Sequence, residues 1–315
     1  MIYNKLGKTE IKVSKICFGS LTISPLQLNM TPTEGGKIIS YAMENGINFI
    51  DTADLYNNYQ HIRKAMDFSS NELIISTKSY DYSEQGAKKS LSKALKDLKR
   101  EYIDIFLLHE QESKNTIRGH WEAIEFLLKE KKKGNIRAIG ISTHRVEAVY
   151  AVCEYDQLDV IHPILNFRGL GIEDGTRLEM EEAICYAKEK GKGIYGMKAF
   201  GGGNLINNLE ECFEYVNNLD ILDSFAMGMS STAEVDYNIN KLLCKEIDYA
   251  TLNTIKNKKR KLLIDYWCTG CGKCEEKCHQ NAIKIINNKA VVEESKCLLC
   301  GYCGAYCPHF CIKII

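Results

Sequence analysis

The sequence predicts an α/β chain: a (β/α)8 TIM barrel followed by a small, cysteine-bearing α+β domain. Three observations predict it. Eight short β-branched runs alternate with amphipathic stretches over the first ~250 residues, the rhythm of a parallel barrel rather than a doubly wound sheet. Eight cysteines cluster near the C-terminal end in two runs of equal spacing. A chain of 315 residues can bury a full enzyme core with a small domain to spare.

The elements follow in order. Tyr3–Val13 reads as a hairpin closing the barrel bottom, with Gly7 and Lys8 at its turn. The strand candidates are Lys15–Gly19, Asn48–Asp51, Leu73–Thr77, Ile103–Leu108, Ile136–Ser142, Val160–Leu165, Gly193–Lys198 and Ser224–Gly228. Between them run helical patterns such as Gly86–Arg100, with Leu91, Ala94, Leu95 and Leu98 on one face, and Trp121–Lys133. The segment Ile255–Leu263 carries Lys256, Lys258, Lys259, Arg260 and Lys261. It reads as a solvated helix end or linker, or as a docking site for an acidic redox partner. The domain boundary falls there, giving a barrel over 1–250 and the cysteine domain over 251–315.

Composition narrows the function. Forty-one basic and 41 acidic residues cancel, so no nucleic-acid or membrane surface is expected. Met1–Lys15 lacks a signal-peptide pattern, and no apolar run reaches membrane-spanning length. Cys17, Cys153, Cys185, Cys212, Cys244 and Cys311 are scattered among apolar residues, as reduced core cysteines are. A cytoplasmic location is expected.

The two cysteine runs are Cys268, Cys271, Cys274, Cys278 and Cys297, Cys300, Cys303, Cys307, the second followed by Pro308. Each reads C-x2-C-x2-C-x3-C, which resembles the bacterial two-cluster ferredoxins and makes the small domain ferredoxin-like. The resemblance implies two [4Fe–4S] clusters. Their ligands would be Cys268, Cys271, Cys274 and Cys307 for one, and Cys297, Cys300, Cys303 and Cys278 for the other. His279 stands where proline is usual after the first run. A disulfide framework or paired zinc sites are the alternatives, and neither favours this spacing.

A second signature lies at the ends of strands two to four, where barrels place catalytic groups. Asp51-Thr52-Ala53-Asp54-Leu55-Tyr56, then Ser76-Thr77-Lys78, then Leu107-Leu108-His109 resemble the D-T-A-x-x-Y, strand-end Lys and L-L-H motifs of the aldo-keto reductase superfamily. The resemblance covers roughly residues 1–245. It implies that Tyr56 is the proton donor, Lys78 its tuner, Asp51 the anchor of Lys78, and His109 the residue that orients the substrate oxygen. The chemistry agrees. Tyrosine titrates near ~10 and needs help to act as an acid or base at neutral pH.

By the same resemblance, Ser142, His162, Asn166, Met197 and Lys198 would contact a nicotinamide, NAD or NADP. Thr143 replaces a usual asparagine, His162 a glutamine and Met197 a stacking tyrosine. Thioether–ring contact can substitute for stacking, and the same residues suit an ordinary polar barrel mouth. Gly228, Ser230 and Asn238, in the last strand's loop and the following helix, would face the phosphates. Met229 and Glu234 offer no cation to a 2′-phosphate, a lean away from strict NADP. Gly201-Gly202-Gly203 reads as a plain flexible loop, and Lys198 and Arg168 as structural ion pairs or binders of an anionic substrate.

Together the halves resemble the iron–sulfur-containing aldo-keto reductases. That implies an oxidoreductase for a small-molecule carbonyl or alcohol substrate. A hydride carries two electrons and a cubane passes one, and no flavin motif is visible. Three readings follow: clusters that exchange electrons with the barrel, clusters that replace a hydrophobic core in a small domain, or an electron-transfer protein whose barrel is a binding platform.

Overall fold

The computed structural model describes all 315 residues. All eight predicted strands form. They are β3 (Ile16–Gly19), β4 (Phe49–Asp51), β5 (Ile74–Ser79), β6 (Ile103–Leu108), β7 (Ile136–Thr143), β8 (Val160–Pro163), β9 (Gly193–Gly196) and β10 (Ser224–Gly228), after a hairpin of β1 (Tyr3–Lys5) and β2 (Lys12–Ser14). Strands β3 to β10 are parallel neighbours in sequence order, and β10 pairs with β3 to close the barrel. The helices Glu84–Leu98 and Trp121–Lys132 match the predicted amphipathic stretches to within two residues. The first begins at Ser83, whose side chain accepts from the Gly86 N–H and satisfies a free helix donor.

Two layers of core result. A large one lies between the strands and the outer helices, and includes Phe18, Ile62, Phe106, Phe126 and Phe225. A smaller one fills the barrel below its mouth. There Phe49, Ile105, Leu107, Val160 and Tyr195 meet Leu6, Ile11 and Val13 of the hairpin. The hairpin is tied down by Asn4 Nδ2, which donates to the Asp223 carbonyl at 2.8 Å. Gly7 adopts φ 53°, and a side chain there would run into the Lys192–Gly193 backbone.

The C-terminal segment has its own apolar cluster, built on Leu262, Ile283, Ala290, Ile312 and Ile314 with several cysteines. Its strands are β11 (Leu262–Ile264), β12 (Ile283–Ile286), β13 (Lys289–Val292) and β14 (Ile312–Ile314). It is an internal repeat with a spacing of 29, Cys268 matching Cys297 and Cys278 matching Cys307. The short helices Lys273–Glu276 and Tyr302–Ala305 obey that shift. So do the left-handed Gly272 (φ 81°) and Gly301 (φ 82°) that start them. β11 pairs with β14 and β12 with β13, both antiparallel, so strands of the two halves interlock.

This lobe sits on the barrel mouth. Phe310 belongs to the main barrel core, and Asn204 Nδ2 donates to the Ile312 carbonyl at 2.9 Å. Gly201-Gly202-Gly203 is therefore no idle loop. A side chain at Gly203 would collide with the Ile314 carbonyl, so the glycines let the lobe's backbone approach the barrel. The basic connector is split: Lys256, Lys259 and Lys261 are exposed at and beyond a helix end, as a solvated linker would have them. Lys258 and Arg260 line the mouth cleft rather than an outward docking face. No helix is long and apolar enough to cross a membrane.

Candidate active site at the barrel mouth

Asp51 is the last residue of β4, Lys78 lies near the end of β5, and His109 directly follows β6. The three ends rise side by side because Asp51 registers with Ser76 and Lys78 with Leu107. Tyr56 arrives on a short turn, Asp54–Tyr56, ended by Asn57 at φ 50°. That turn is fixed from below. Ser20 Oγ donates to the Asp51 carbonyl at 2.7 Å, Asn58 Nδ2 to Ser20 Oγ at 2.9 Å, and Thr52 Oγ1 to Asn58 Oδ1 at 2.6 Å.

The Lys78 ammonium lies 2.7 Å from both Asp51 oxygens and 2.7 Å from the Thr52 carbonyl. All three of its donors are thus committed, and its charge faces the Tyr56 ring at 5.2 Å from the centroid. Burial, followed by the negative charges of Asp51 and Glu110, drives the Tyr56 phenol well above its usual range. Tyr56 is held as a protonated acid.

His109 is buried, and its Nδ1 makes no hydrogen bond. Burial, then the charges of Lys78 and Lys198, hold its imidazole well below the usual histidine range, so it is neutral at pH 7. Tyr80 stacks on it at 4.4 Å, with the Tyr80 hydroxyl donating to Glu110 at 2.5 Å. Tyr56 meets the same imidazole edge-on at 6.0 Å.

Tyr195 is a site residue that the sequence did not announce. Its hydroxyl donates to Asp51 Oδ1 at 2.9 Å and bonds Ser76 Oγ at 2.7 Å, from a fully buried ring. His162 stacks on that ring at 3.9 Å, and its Nε2 lies 3.5 Å from Asp51 Oδ1. Burial pulls His162 down to about 4 despite the opposing pull of Asp51. A tyrosine inside a barrel strand carries no local pattern that separates it from core, so only the fold exposes its role.

A cleft of about 1040 Å3 opens above these groups. Asp51, Tyr56, His162, Met197, Lys198 and Gly228 line it, together with Lys313, Ile314 and Ile315 of the lobe. Other expected contacts are committed elsewhere. Ser142 Oγ accepts from the Glu110 N–H at 2.9 Å, and Asn166 uses both amide ends on the Leu170 backbone at 2.9 Å. Neither is among the residues that line the cleft. Asn238 is buried on the helix Thr232–Leu242, away from the cleft wall. Ser230 is engaged as well. Its N–H and Oγ both donate to Glu234 Oε2, at 2.7 and 2.9 Å, and Lys258 bonds Glu234 Oε1 at 2.8 Å. The helix start expected to receive phosphate thus holds a carboxylate of its own.

In the lobe, Cys268, Cys271, Cys274 and Cys307 line one small cavity, with Cys311 beside them. Cys311 is thus no isolated core cysteine; its Sγ lies 3.4 Å from that of Cys307. Cys185 and Cys244 also differ from expectation, being exposed. The Ala290 N–H points at Cys268 Sγ at 3.5 Å, and the Ala282 N–H at Cys278 Sγ at 3.3 Å. No three His, Cys, Asp or Glu side chains converge on a single metal ion. The cavity and the cleft share β14 as a wall: Ile312 faces the first, Lys313 and Ile314 the second.

Residues 15–220 match the model of the aldo/keto reductase family, a span that carries all four mouth residues. The chain belongs to the aldo/keto reductase family. Its similarity to L-galactose dehydrogenase of Arabidopsis thaliana is 26% identity over 212 residues, 64% of this chain and 66% of that protein. To the glyoxal reductase of Bacillus subtilis it is 29% over 181 residues, 56% and 61% of the two chains. The chain thus spans less than two thirds of these curated relatives. The family's barrel recurs in solved structures. A putative aldo-keto reductase from Pseudomonas aeruginosa superposes with a TM-score of 0.65 at 21% identity, covering 76% of this chain and 93% of that one. The holo form of an aldo-keto reductase from Bacillus halodurans gives 0.63 at 21% identity, covering 81% and 95%. The family match ends at residue 220, ahead of both cysteine runs.

Proposed function

We propose that this chain is an aldo-keto reductase-type oxidoreductase that interconverts a small carbonyl compound and its alcohol with NADH or NADPH. The observation that carries the reading is the convergence of Tyr56, the Lys78–Asp51 pair and neutral His109 under one cleft at the barrel mouth. A bound nicotinamide supplies the hydride. Tyr56 holds the proton that the developing alkoxide needs. Lys78 sets a fixed positive charge against the Tyr56 ring, and Asp51 and the Thr52 carbonyl keep that charge in place. His109, neutral and with an unused ring nitrogen, suits a hydrogen bond to the ligand rather than a proton shuttle. His162, Met197 and Gly228 remain as wall for a cofactor. The matched glyoxal reductase supports a small aldehyde as substrate.

The lobe from residue 251 onward is read as a ferredoxin-like domain for two [4Fe–4S] clusters. The fit is favourable on this chain's own geometry. Four thiols from both runs line one cavity, the ligand set that the two-cluster spacing implies. The 29-residue repeat assigns Cys297, Cys300, Cys303 and Cys278 to the equivalent site. Clusters of this kind suit a reducing compartment such as the cytoplasm.

The test is anaerobic purification, then NADH or NADPH consumption with glyoxal or methylglyoxal. Tyr56→Phe should lower turnover by roughly 10²–10⁴-fold with dinucleotide affinity almost unchanged. Undiminished turnover in that variant would reject the mechanism. The commitment of Ser142 and Asn166 to backbone contacts favours a second reading, an electron-transfer protein with a redox partner and a barrel that only binds. Under it, neither dinucleotide would be consumed while the protein still exchanged electrons with a one-electron carrier.

A further inference from the structure

The cleft carries more positive charge than it neutralises. Among its lining residues Asp51 is matched by Lys78, and Glu234 by Lys258 at 2.8 Å. Lys313 faces Asp265 of the lobe at 3.8 Å. Lys198 and Arg260 have no carboxylate within 4.0 Å, contrary to the ion pair that the sequence suggested for Lys198. Arg260 rests on backbone carbonyls of Lys258 and Ile255 at 3.5 and 3.3 Å.

Lys198 is the more telling of the two. It directly follows Met197 at the end of the β9 run, in a left-handed backbone conformation with φ 61°. A lysine held there is strained, and such strain clusters at ligand-binding positions. Its ammonium donates to His144 Nε2 at 2.8 Å and lies 4.7 Å from the Phe310 ring centroid. Neither partner is an anion. His144 is kept neutral by burial and by Lys198 itself, and burial in turn draws Lys198 down to about 8. Lys198 lines the same cleft as Asp51, Tyr56 and His162, which places it in the reacting pocket.

We propose that Lys198 seats the carboxylate of an anionic carbonyl substrate, so that the cleft is built for small oxo acids. The inference rests on the carbonyl-reducing reading of the same cleft. A carboxylate at Lys198 gains a charge-assisted hydrogen bond in a low-dielectric corner and adds a direct partner to the more distant charges of Glu110, Asp265 and Glu173. Arg260 reinforces the field along the cleft. A dinucleotide phosphate offers the same oxyanion chemistry from a second source. Lys198 lines the cleft beside Tyr56 and His162, whereas the expected phosphate seat at Ser230 already holds Glu234, and this favours the substrate.

The experiment is calorimetry on the anaerobically prepared full chain, with glyoxylate, methylglyoxal and NADH each as titrant. The native protein should bind glyoxylate more tightly than neutral methylglyoxal. Lys198→Met should lose glyoxylate affinity about 10-fold or more and keep methylglyoxal and NADH within about twofold, while Lys198→Arg should retain most of it. Equal affinity for the two aldehydes in the native protein overturns the proposal. Loss of NADH affinity in place of glyoxylate affinity also overturns it and assigns Lys198 to the cofactor. Binding of glyoxylate that depends on Lys198 without any dinucleotide consumption leaves the anion seat standing and removes the reductase reading instead. Retention by Lys198→Arg separates loss of charge from failure to fold.

Discussion

Phe310 ties the lobe to the barrel, and its removal has a calculable cost. The ring is 3% exposed and packs into the main barrel core although it belongs to the cysteine lobe. Lys198 lies 4.7 Å from its centroid and Lys313 3.6 Å, with His144 edge-on at 6.0 Å. Truncating a buried Phe to Ala costs about 3–5 kcal/mol. The two ammoniums would then lose the π face between them, worth about 0.5–2 kcal/mol each. Together that is about 4–9 kcal/mol, and for a chain of this size each kcal/mol lowers Tm by about 2 °C, so Phe310→Ala should melt about 8–18 °C earlier. Backbone strain is the competing influence, since Phe310 sits at φ 45°. Its repeat counterpart, Asn281, occupies the same region at φ 50°. Phe310→Asn would therefore relieve strain while removing the ring. Packing predicts that both variants are destabilised; strain predicts that the Asn variant is stabilised. The assay is a thermal melt paired with limited proteolysis of the 245–262 connector, which should be cut faster in both variants. A Phe310→Asn protein as stable as the parent, with an unchanged cleavage rate, refutes the anchoring role.

Three further outcomes are expected. Lys78→Met leaves Asp51 buried without its cation and should cost about 3–5 kcal/mol in urea denaturation; adding Asp51→Asn should recover most of the stability and none of the turnover, and a single variant of native stability would contradict the buried pair. His162 titrates at about 4 when folded against ~6.5 when unfolded, so between these pH values the unfolded chain holds the extra proton and acid favours unfolding. His162 alone should therefore remove about 1.4 kcal/mol of stability per pH unit as pH falls through that window, and urea midpoints at pH 7, 6 and 5 for the native chain and His162→Gln should differ in slope accordingly. Cys307→Ala should reduce the iron held through the first run, Cys268, Cys271 and Cys274, because its thiol lines their cavity; unchanged iron content and unchanged electron paramagnetic resonance signals would dismiss the crossover.

The barrel was legible because each strand is a short β-branched run between helical patterns, and Ile103–Leu108 and Ser224–Gly228 match residue for residue. Asp51, Lys78 and His109 were legible because strand ends of a barrel converge whatever the loops do. The remainder depended on which partner each polar group finds. Ser142 and Asn166 read as ligand contacts, and nothing in the sequence shows that Glu110 and Leu170 also bond them. Tyr195 reads as filler until its hydroxyl meets Asp51, 144 residues away. The three glycines at 201–203 did carry a signal. Glycine marks places where another chain segment comes close: Gly203 meets the β14 backbone at Ile314, and Gly202 meets the side chains of Lys313 and Phe310.

The hairpin under the barrel also governs traffic. Leu6, Ile11 and Val13 seal the lower end, and Phe49, Leu107 and Tyr195 fill the bore above them. Everything that reaches Tyr56 must pass the mouth, which the lobe already narrows with Lys313, Ile314 and Ile315. A vestibule with one doorway imposes a queue. The molecule lying deepest enters first and departs last, so two reactants cannot exchange independently, and steady-state kinetics should show compulsory order rather than random arrival.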